Sequence, residues 1–295
     1  MTPPGRPPVV DGENPRRRRY GWLLLVPGML WLVVFFLLPT VQLFFTSLYD
    51  PSGSYEFGYA MTWRFQNYAD AVRDNWDLFV RSFLYAGITT AVCLLLAYPL
   101  AYAIAFKSGR WKNFLLVLVI APFFTSFLLR TLSWSAILSD QGPVTSFFQT
   151  IAILPDDGRL LATPVAVVAG LIYNFLPFMT LPLYASLDKV DPRLIEAAGD
   201  LYSSPFTGFR KVTVPLSTPG VVAGTLLTFI PACGDYINAE LLGTTRQYMI
   251  GNRIQAAFLR ERDYPVAATL SLILMLVVVA MVVVYVRRAG TEKLV

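Results

Sequence analysis

Six apolar runs, each about as long as a helix that crosses a bilayer, constrain this chain more than any other feature. They fall near residues 22–46, 80–106, 113–139, 162–187, 218–242 and 265–286. Bilayer hydrocarbon is about 30 Å thick and needs roughly 20 consecutive apolar residues per spanning helix. Apolar residues make up 55% of the chain and charged residues only 15%, too little charge to cover a water-soluble body of 295 residues. The sequence therefore predicts an all-α integral membrane protein with six transmembrane helices. Prolines inside several runs (Pro39, Pro99, Pro122, Pro177, Pro182, Pro231) predict kinks.

Residues 1–19 read as a disordered basic tail, residues 20–288 as the membrane domain and residues 289–295 as a second tail. The run after Arg16–Arg19 is longer than a signal-peptide core and no small-x-small site follows, so it reads as a retained first helix. With the N-terminus inside, inner segments hold fifteen Lys and Arg residues and outer loops eight, with Arg130 inside a span. That bias predicts two cytoplasmic termini. The outer loop 243–264 runs against it with Arg246, Arg253, Arg260 and Arg262. The net charge of +5 is thus a membrane pattern, with no nucleic acid implied. The aromatic outer loop between the first two runs, which includes Tyr49, Tyr55, Tyr59 and Trp63, reads as an interfacial belt or as a vestibule.

Several chemistries are excluded. The chain has no histidine, and its two cysteines, Cys93 and Cys233, lie in separate apolar runs, so no metal set is implied. No GxxxxGK[ST] occurs, so the chain has no P-loop of its own. No HExxH or GxSxG supports an intramembrane enzyme. A self-contained secondary transporter is a second reading, weakened because no repeated half is visible.

The inner loop from about 188 to 218 encodes two short helices. Asp191–Pro192 and Ser204–Pro205 are both start signals, an oxygen acceptor followed by proline. Phe206 and Phe209, with Arg210 and Lys211, suit either a partner's groove or a headgroup surface. The segment resembles the EAA loop of ABC importer permeases. Glu196, Ala197 and Ala198 match its head, and Val212, Val214 and Pro215 its tail. The motif glycine falls at Tyr202, a departure, since glycine would ease a sharp turn there.

The resemblance extends through PFFTSFLLRTLSW (122–134), GLIYNFLPFMTLPLYASL (170–187) and FIPACGDYINAELLG (229–243). These look like the spermidine/putrescine (PotB-like) branch of those permeases. The resemblance implies a MetI-like fold and a non-catalytic permease subunit in a bacterial inner membrane. It also implies a second permease subunit as heterodimer partner, a cytoplasmic ABC ATPase dimer that binds the ATP, and an extracytoplasmic substrate-binding protein. Glu196, Ala197, Ala198, Tyr202, Phe206, Phe209 and Pro215 would then couple to the ATPase. The implied cargo is a polyamine; related permeases carry ferric iron or phosphonates.

Charges inside spans are costly and mark function by default. Asp235 and Glu240, late in the fifth run, are candidates to receive a cationic solute, with Tyr236, Trp134 and Tyr173 offering aromatic faces. Five residues apart on an ideal helix, the two carboxylates would point apart, so a shared cavity requires an irregular helix. Pro231 and Gly234 make local unwinding plausible. The alternatives are an ion pair of these carboxylates with Arg130 or with an outer-loop arginine and, for Arg130 itself, snorkelling to the outer headgroups or a pair with Asp235, Glu240 or Asp140.

Overall fold

A computed structural model gives the protein's structure and describes residues 25–155, 157–200 and 204–289. The expected tail 1–19, Tyr202 and residues 290–295 lie outside the described residues. Among the described residues the structure is helical throughout, with α1 (Leu25–Ser47), α2 (Gln66–Asp74), α3 (Trp76–Lys107), α4 (Gly109–Phe124), α5 (Phe127–Leu138) and α6 (Pro143–Thr150) in the first half. The second half holds α7 (Pro164–Leu187), α8 (Pro192–Asp200), α9 (Phe206–Leu216), α10 (Thr218–Cys233), α11 (Ile237–Leu242), α12 (Ile250–Gln255) and α13 (Tyr264–Arg288).

Four of these (α1, α3, α7 and α13) are long and apolar enough to cross a membrane alone. Two bent pairs bring the number to as many as six if each counts as one span: 109–124 with 127–150, bent by 94°, and 206–216 with 218–233, bent by 65° at Ser217, where the loop helix α9 meets the fifth span. The six expected runs are present, and at two of the prolines expected to kink them the helix breaks outright. The third breaks at Thr125 and Ser126, whose backbones are extended. Pro122 starts that break by lacking an N–H, and the Thr125 hydroxyl donates to the Pro122 carbonyl at 2.8 Å. The fifth ends at Cys233, is interrupted over Gly234–Tyr236, and resumes as the single short helix α11.

The core is a triangle of α3, α7 and α10, each packed on the other two. At one end Cys93, Ala97 and Ala101 of α3 meet Met179, Leu183 and Leu187 of α7, all buried. Lipid tails are as apolar as these side chains, so close approach rather than water exclusion holds such helices together. Two glycines of α10 supply that approach. A Cβ on Gly220 would lie 2.7 Å from the Pro182 carbonyl oxygen, and one on Gly224 would lie 3.0 Å from that of Met179. Helix α13 packs on α1 and α2, while α1 shows its apolar side chains outward along most of its length. Lys112 at the start of α4 pairs with Asp188 after α7 at 2.5 Å, tying the two ends of the inner layer.

Replacing Gly220 by valine should push α10 off α7 and cost about 1–3 kcal/mol, the usual scale for overpacking. Gly87 has open space around it, so Gly87→Ala should be neutral or raise stability slightly. Thermal unfolding of the two purified variants checks this; equal melting temperatures would show that the triangle is not close-packed at Gly220.

Candidate functional site

The break in the fifth span organises the surrounding chemistry. Pro231 frees a carbonyl one turn earlier, and the helix ends at Gly234, whose φ of −95° and ψ of 1° leave the helical path. Asp235 then starts α11: its Oδ1 accepts the Asn238 backbone N–H at 2.8 Å, and its Oδ2 accepts from Asn238 Nδ2 at 3.1 Å. A carboxylate beside free N–H groups at a helix start is favoured by both hydrogen bonding and the local dipole. Asn174 of α7 donates from Nδ2 to Asn238 Oδ1 at 3.1 Å and to Thr131 Oγ1 of α5 at 3.3 Å. Thr131 in turn donates to the Phe127 carbonyl at 3.1 Å. One buried string of hydrogen bonds therefore joins the elbow of the third span, the middle of the fourth and the break of the fifth.

The segment after α11 folds back onto the break. Asn252 Nδ2 donates to the Tyr236 carbonyl at 2.9 Å, and its Oδ1 accepts the Met249 N–H at the same distance. The Ile250 N–H reaches Ser82 Oγ at 2.8 Å and Arg81 reaches the Tyr248 carbonyl at 2.9 Å, fixing the segment to α3. Gly251 passes so close to the break that a Cβ there would sit 2.5 Å from the Gly234 carbonyl oxygen. Three of the four arginines that ran against the charge bias are engaged locally. Arg253 pairs with Glu261, Arg260 pairs with Glu240, and Arg262 stacks over Tyr55. Asp263 caps α13 through the Val266 N–H, and burial raises its carboxyl above the ordinary carboxylate range.

Between the break, this returning segment, α1 and α13 lies a cavity of about 980 Å³. Gln42, Tyr59, Tyr236, Gln255, Phe258 and Tyr264 are among its walls, and no ionisable carboxylate or ammonium group is. Tyr59 and Phe258 meet Tyr264 edge to face, at 6.2 and 5.4 Å between centroids. The Tyr59 hydroxyl donates to the Arg262 carbonyl at 2.6 Å, which holds the outer loop over the cavity. The cavity thus offers aromatic faces, hydroxyls and amide oxygens.

The five residues singled out for a solute path occupy different places. Tyr236 lines the large cavity. Asp235 is buried and bound to Asn238. Glu240 lines a separate cavity of about 290 Å³ together with Arg260, its ion-pair partner at 2.5 Å. Trp134 and Tyr173 meet in a tilted arrangement, 5.3 Å between ring centroids and 52° between planes. The structure does not pair Arg130 with Asp235, and it does not send Arg130 outward to the headgroups. Its side chain folds back over the Phe123 and Phe127 rings and is 9% exposed. The outer-loop tyrosines at the cavity were missed as site residues because their density reads equally well as a belt.

At the opposite end the inner loop forms as its start signals predict. Asp191 Oδ1 accepts the Arg193 N–H at 2.9 Å, and Ser204 Oγ accepts that of Thr207 at 3.2 Å. Glu196, Ala197 and Pro215 are exposed, Ala198 is half-buried, and Phe206 is 71% exposed. Phe209 differs from the exposed position expected of it: its ring packs edge-on against Tyr98 and Tyr102 of α3, at 5.3 and 6.1 Å.

Residues 94–289 match the family model described as binding-protein-dependent transport system inner membrane component. The chain belongs to that family. It is a membrane permease subunit of an ABC importer, in which a separate ATPase hydrolyses the ATP. The permease is 36% identical over 257 residues to the spermidine/putrescine transport system permease protein PotB of Escherichia coli, covering 86% of this chain and 92% of that one. It is 35% identical over 258 residues to the protein of the same name from Haemophilus influenzae, covering 87% and 90%. Its fold matches the crystal structure of a bacterial ABC transporter involved in the import of the acidic polysaccharide alginate. The TM-score is 0.67 at 16% identity, over 93% of this chain and 96% of that one.

The geometry makes Asp235 a cap of α11. Asp235→Asn retains an oxygen acceptor for the Asn238 N–H and should leave melting within a few degrees of wild type. Asp235→Ala should cost about 1–2 kcal/mol, the usual loss on removing a cap. Adding Arg130→Gln to either should give additive effects, because the two side chains share no bond. Rescue of Asp235→Ala by Arg130→Gln in thermal unfolding would instead reveal an ion pair.

Proposed function

We propose that this permease passes polyamines of the spermidine and putrescine type across the bacterial inner membrane, through the uncharged aromatic cavity beside the break in span five. The observation that carries this reading is the 36% identity, over nearly the whole of both chains, to a permease named for those solutes. The fold alone does not choose a solute, since the matching crystal structure belongs to an importer of an acidic polysaccharide. The cavity supports the choice chemically. An alkyl ammonium chain leaving water gains about 0.5–2 kcal/mol from each aromatic face it meets. Hydroxyl and amide oxygens replace part of its hydration. Passage also requires that binding be weak enough to release, which suits walls without a carboxylate. Asp235 and Glu240 then shape the path by holding α11 and the returning segment, while Tyr236 meets the solute. Trp134 and Tyr173 stand as a second aromatic pair on the same route.

The same reading places both termini in the cytoplasm, in keeping with the basic bias and with the local pairing of Arg253, Arg260 and Arg262. A second permease subunit completes the path, an ATPase dimer docks on the inner loop, and an extracytoplasmic binding protein delivers the solute. Exposed Phe206 is the anchor that enters the ATPase, with Glu196, Ala197, Ala198 and Pro215 shaping the loop. Phe209 fixes the loop to α3, so ATPase movement reaches the core triangle. Tyr202, outside the described residues, falls at the turn between the two loop helices.

Uptake of labelled spermidine by the assembled importer in vesicles tests the solute. Tyr236→Ala and Gln255→Ala should each reduce uptake about ten-fold while basal ATP hydrolysis stays within two-fold. Uptake that unlabelled putrescine fails to inhibit, but ferric iron or a phosphonate does inhibit, would contradict the assignment.

The two phenylalanines of the inner loop should separate by phenotype. Phe206→Ala should lower the ATPase recovered with the permease and leave permease melting unchanged. Phe209→Ala should lower both, because it removes ring contacts within the chain. Full ATPase recovery with Phe206→Ala on size-exclusion chromatography would remove Phe206 from the docking surface.

A further inference from the structure

Arg130 is a buried cation that no other part of the described chain neutralises. Its side chain is nine-tenths buried, and Nε and Nη1 both lack a hydrogen-bond partner. Side chains in a helix lean toward its N-terminus, so the guanidinium lies back in the elbow between α4 and α5. There it sits 5.6 Å from the Phe123 ring centre and 5.7 Å from that of Phe127. Those two rings hold the guanidinium in place and leave its N–H edge unmatched. The elbow adds donors of its own. Ser126 stands at the N-cap of α5 without making a side-chain cap, so the N–H groups of the first turn are left for another acceptor. The unmatched Nε and Nη1 form one edge of the guanidinium fork, which suits an anion with paired oxygens.

Carboxylates of the neighbouring spans and their connections have other partners. Asp140 is held by Arg159, Asp188 by Lys112, Asp235 by Asn238 and Glu240 by Arg260. A lipid phosphate is badly placed. Phe124 lies twelve residues beyond Lys112, or about 18 Å along the span, well inside hydrocarbon roughly 30 Å thick. The face beside the elbow is apolar and open: Phe124 is 85% exposed, and Leu128, Leu129 and Leu132 are exposed with it. An apolar face surrounding one unneutralised cation fits a protein surface that carries one carboxylate.

We propose that Arg130 receives an Asp or Glu carboxylate from the second permease subunit, seated at the elbow of the third span with Phe124, Leu128, Leu129 and Leu132 as its apolar surround. The proposal rests on the reading above only in requiring a second permease subunit. The contact would neutralise Arg130 only when the two subunits are assembled, which makes it a check on correct pairing as well as an adhesive one.

Two measurements on the assembled importer in native membranes test it, both made without solute. With p-benzoylphenylalanine at position 129, irradiation should give a covalent adduct with the second permease subunit; an adduct with lipid alone overturns the proposal. The second reads the ratio of second permease to this chain after purification, which is independent of expression level. Arg130→Leu should lower that ratio at least about thirty-fold, the scale expected when one half of a buried charge pair is removed. Arg130→Lys, which keeps the charge but not the fork, should fall between. An unchanged ratio for Arg130→Leu overturns the proposal even if the adduct forms. An importer that gives both expected results yet does not take up spermidine would refute only the polyamine reading.

Discussion

The string of hydrogen bonds from the Phe127 carbonyl through Thr131, Asn174 and Asn238 to Asp235 is the buried polar link between the two broken spans. A helix interrupted in hydrocarbon exposes backbone groups that no water can satisfy, each at a cost of several kcal/mol. The string answers part of that cost at the fifth span, where the Asp235 carboxylate takes the Asn238 N–H, and its remaining bonds tie that break to α7 and α5. Each bond in such a place is worth only about 0.6 kcal/mol on average. Its larger effect is geometric, because Asn174 sits on the continuous helix α7 and so refers both breaks to the rigid triangle of α3, α7 and α10. Displacement of one break moves the other.

From that constraint the outer half of the molecule follows. The break at Gly234–Tyr236 turns the Tyr236 carbonyl toward Asn252, which anchors the returning segment. That segment carries Gln255 and Phe258 to the cavity wall and leaves Arg253 and Arg260 to be neutralised by Glu261 and Glu240. Exposed pairs of this kind add little stability, about 0–1 kcal/mol. Their effect is to keep positive charge off the walls that a cation would pass.

The membrane class, the number of spans and the two capped helices of the inner loop were legible in the sequence, because apolar run length and cap chemistry are local. Where the backbone would break was not. Pro99, Pro177 and Pro182 sit inside continuous helices, whereas Pro122 and Pro231 precede breaks. The difference lies three to four residues downstream, where Thr125–Ser126 and Gly234–Asp235 satisfy or tolerate the freed backbone. Snorkelling of Arg130 to the outer headgroups presumes a straight third span, which the bend of 94° rules out. Tyr59 and Tyr264 lie 205 positions apart in sequence, so no local pattern could show that their rings meet.

The central claim is that solute passes through the uncharged cavity beside the break, with the two intramembrane carboxylates serving to shape it. Photolabelling the assembled importer with an azidophenyl derivative of spermidine during ATP turnover, followed by peptide mapping, tests this directly. The account predicts label on Tyr236, Gln255, Phe258 or Tyr264, competed away by unlabelled spermidine. Competable label confined to peptides around Trp134 and Tyr173, with none on either side of the break, would contradict it.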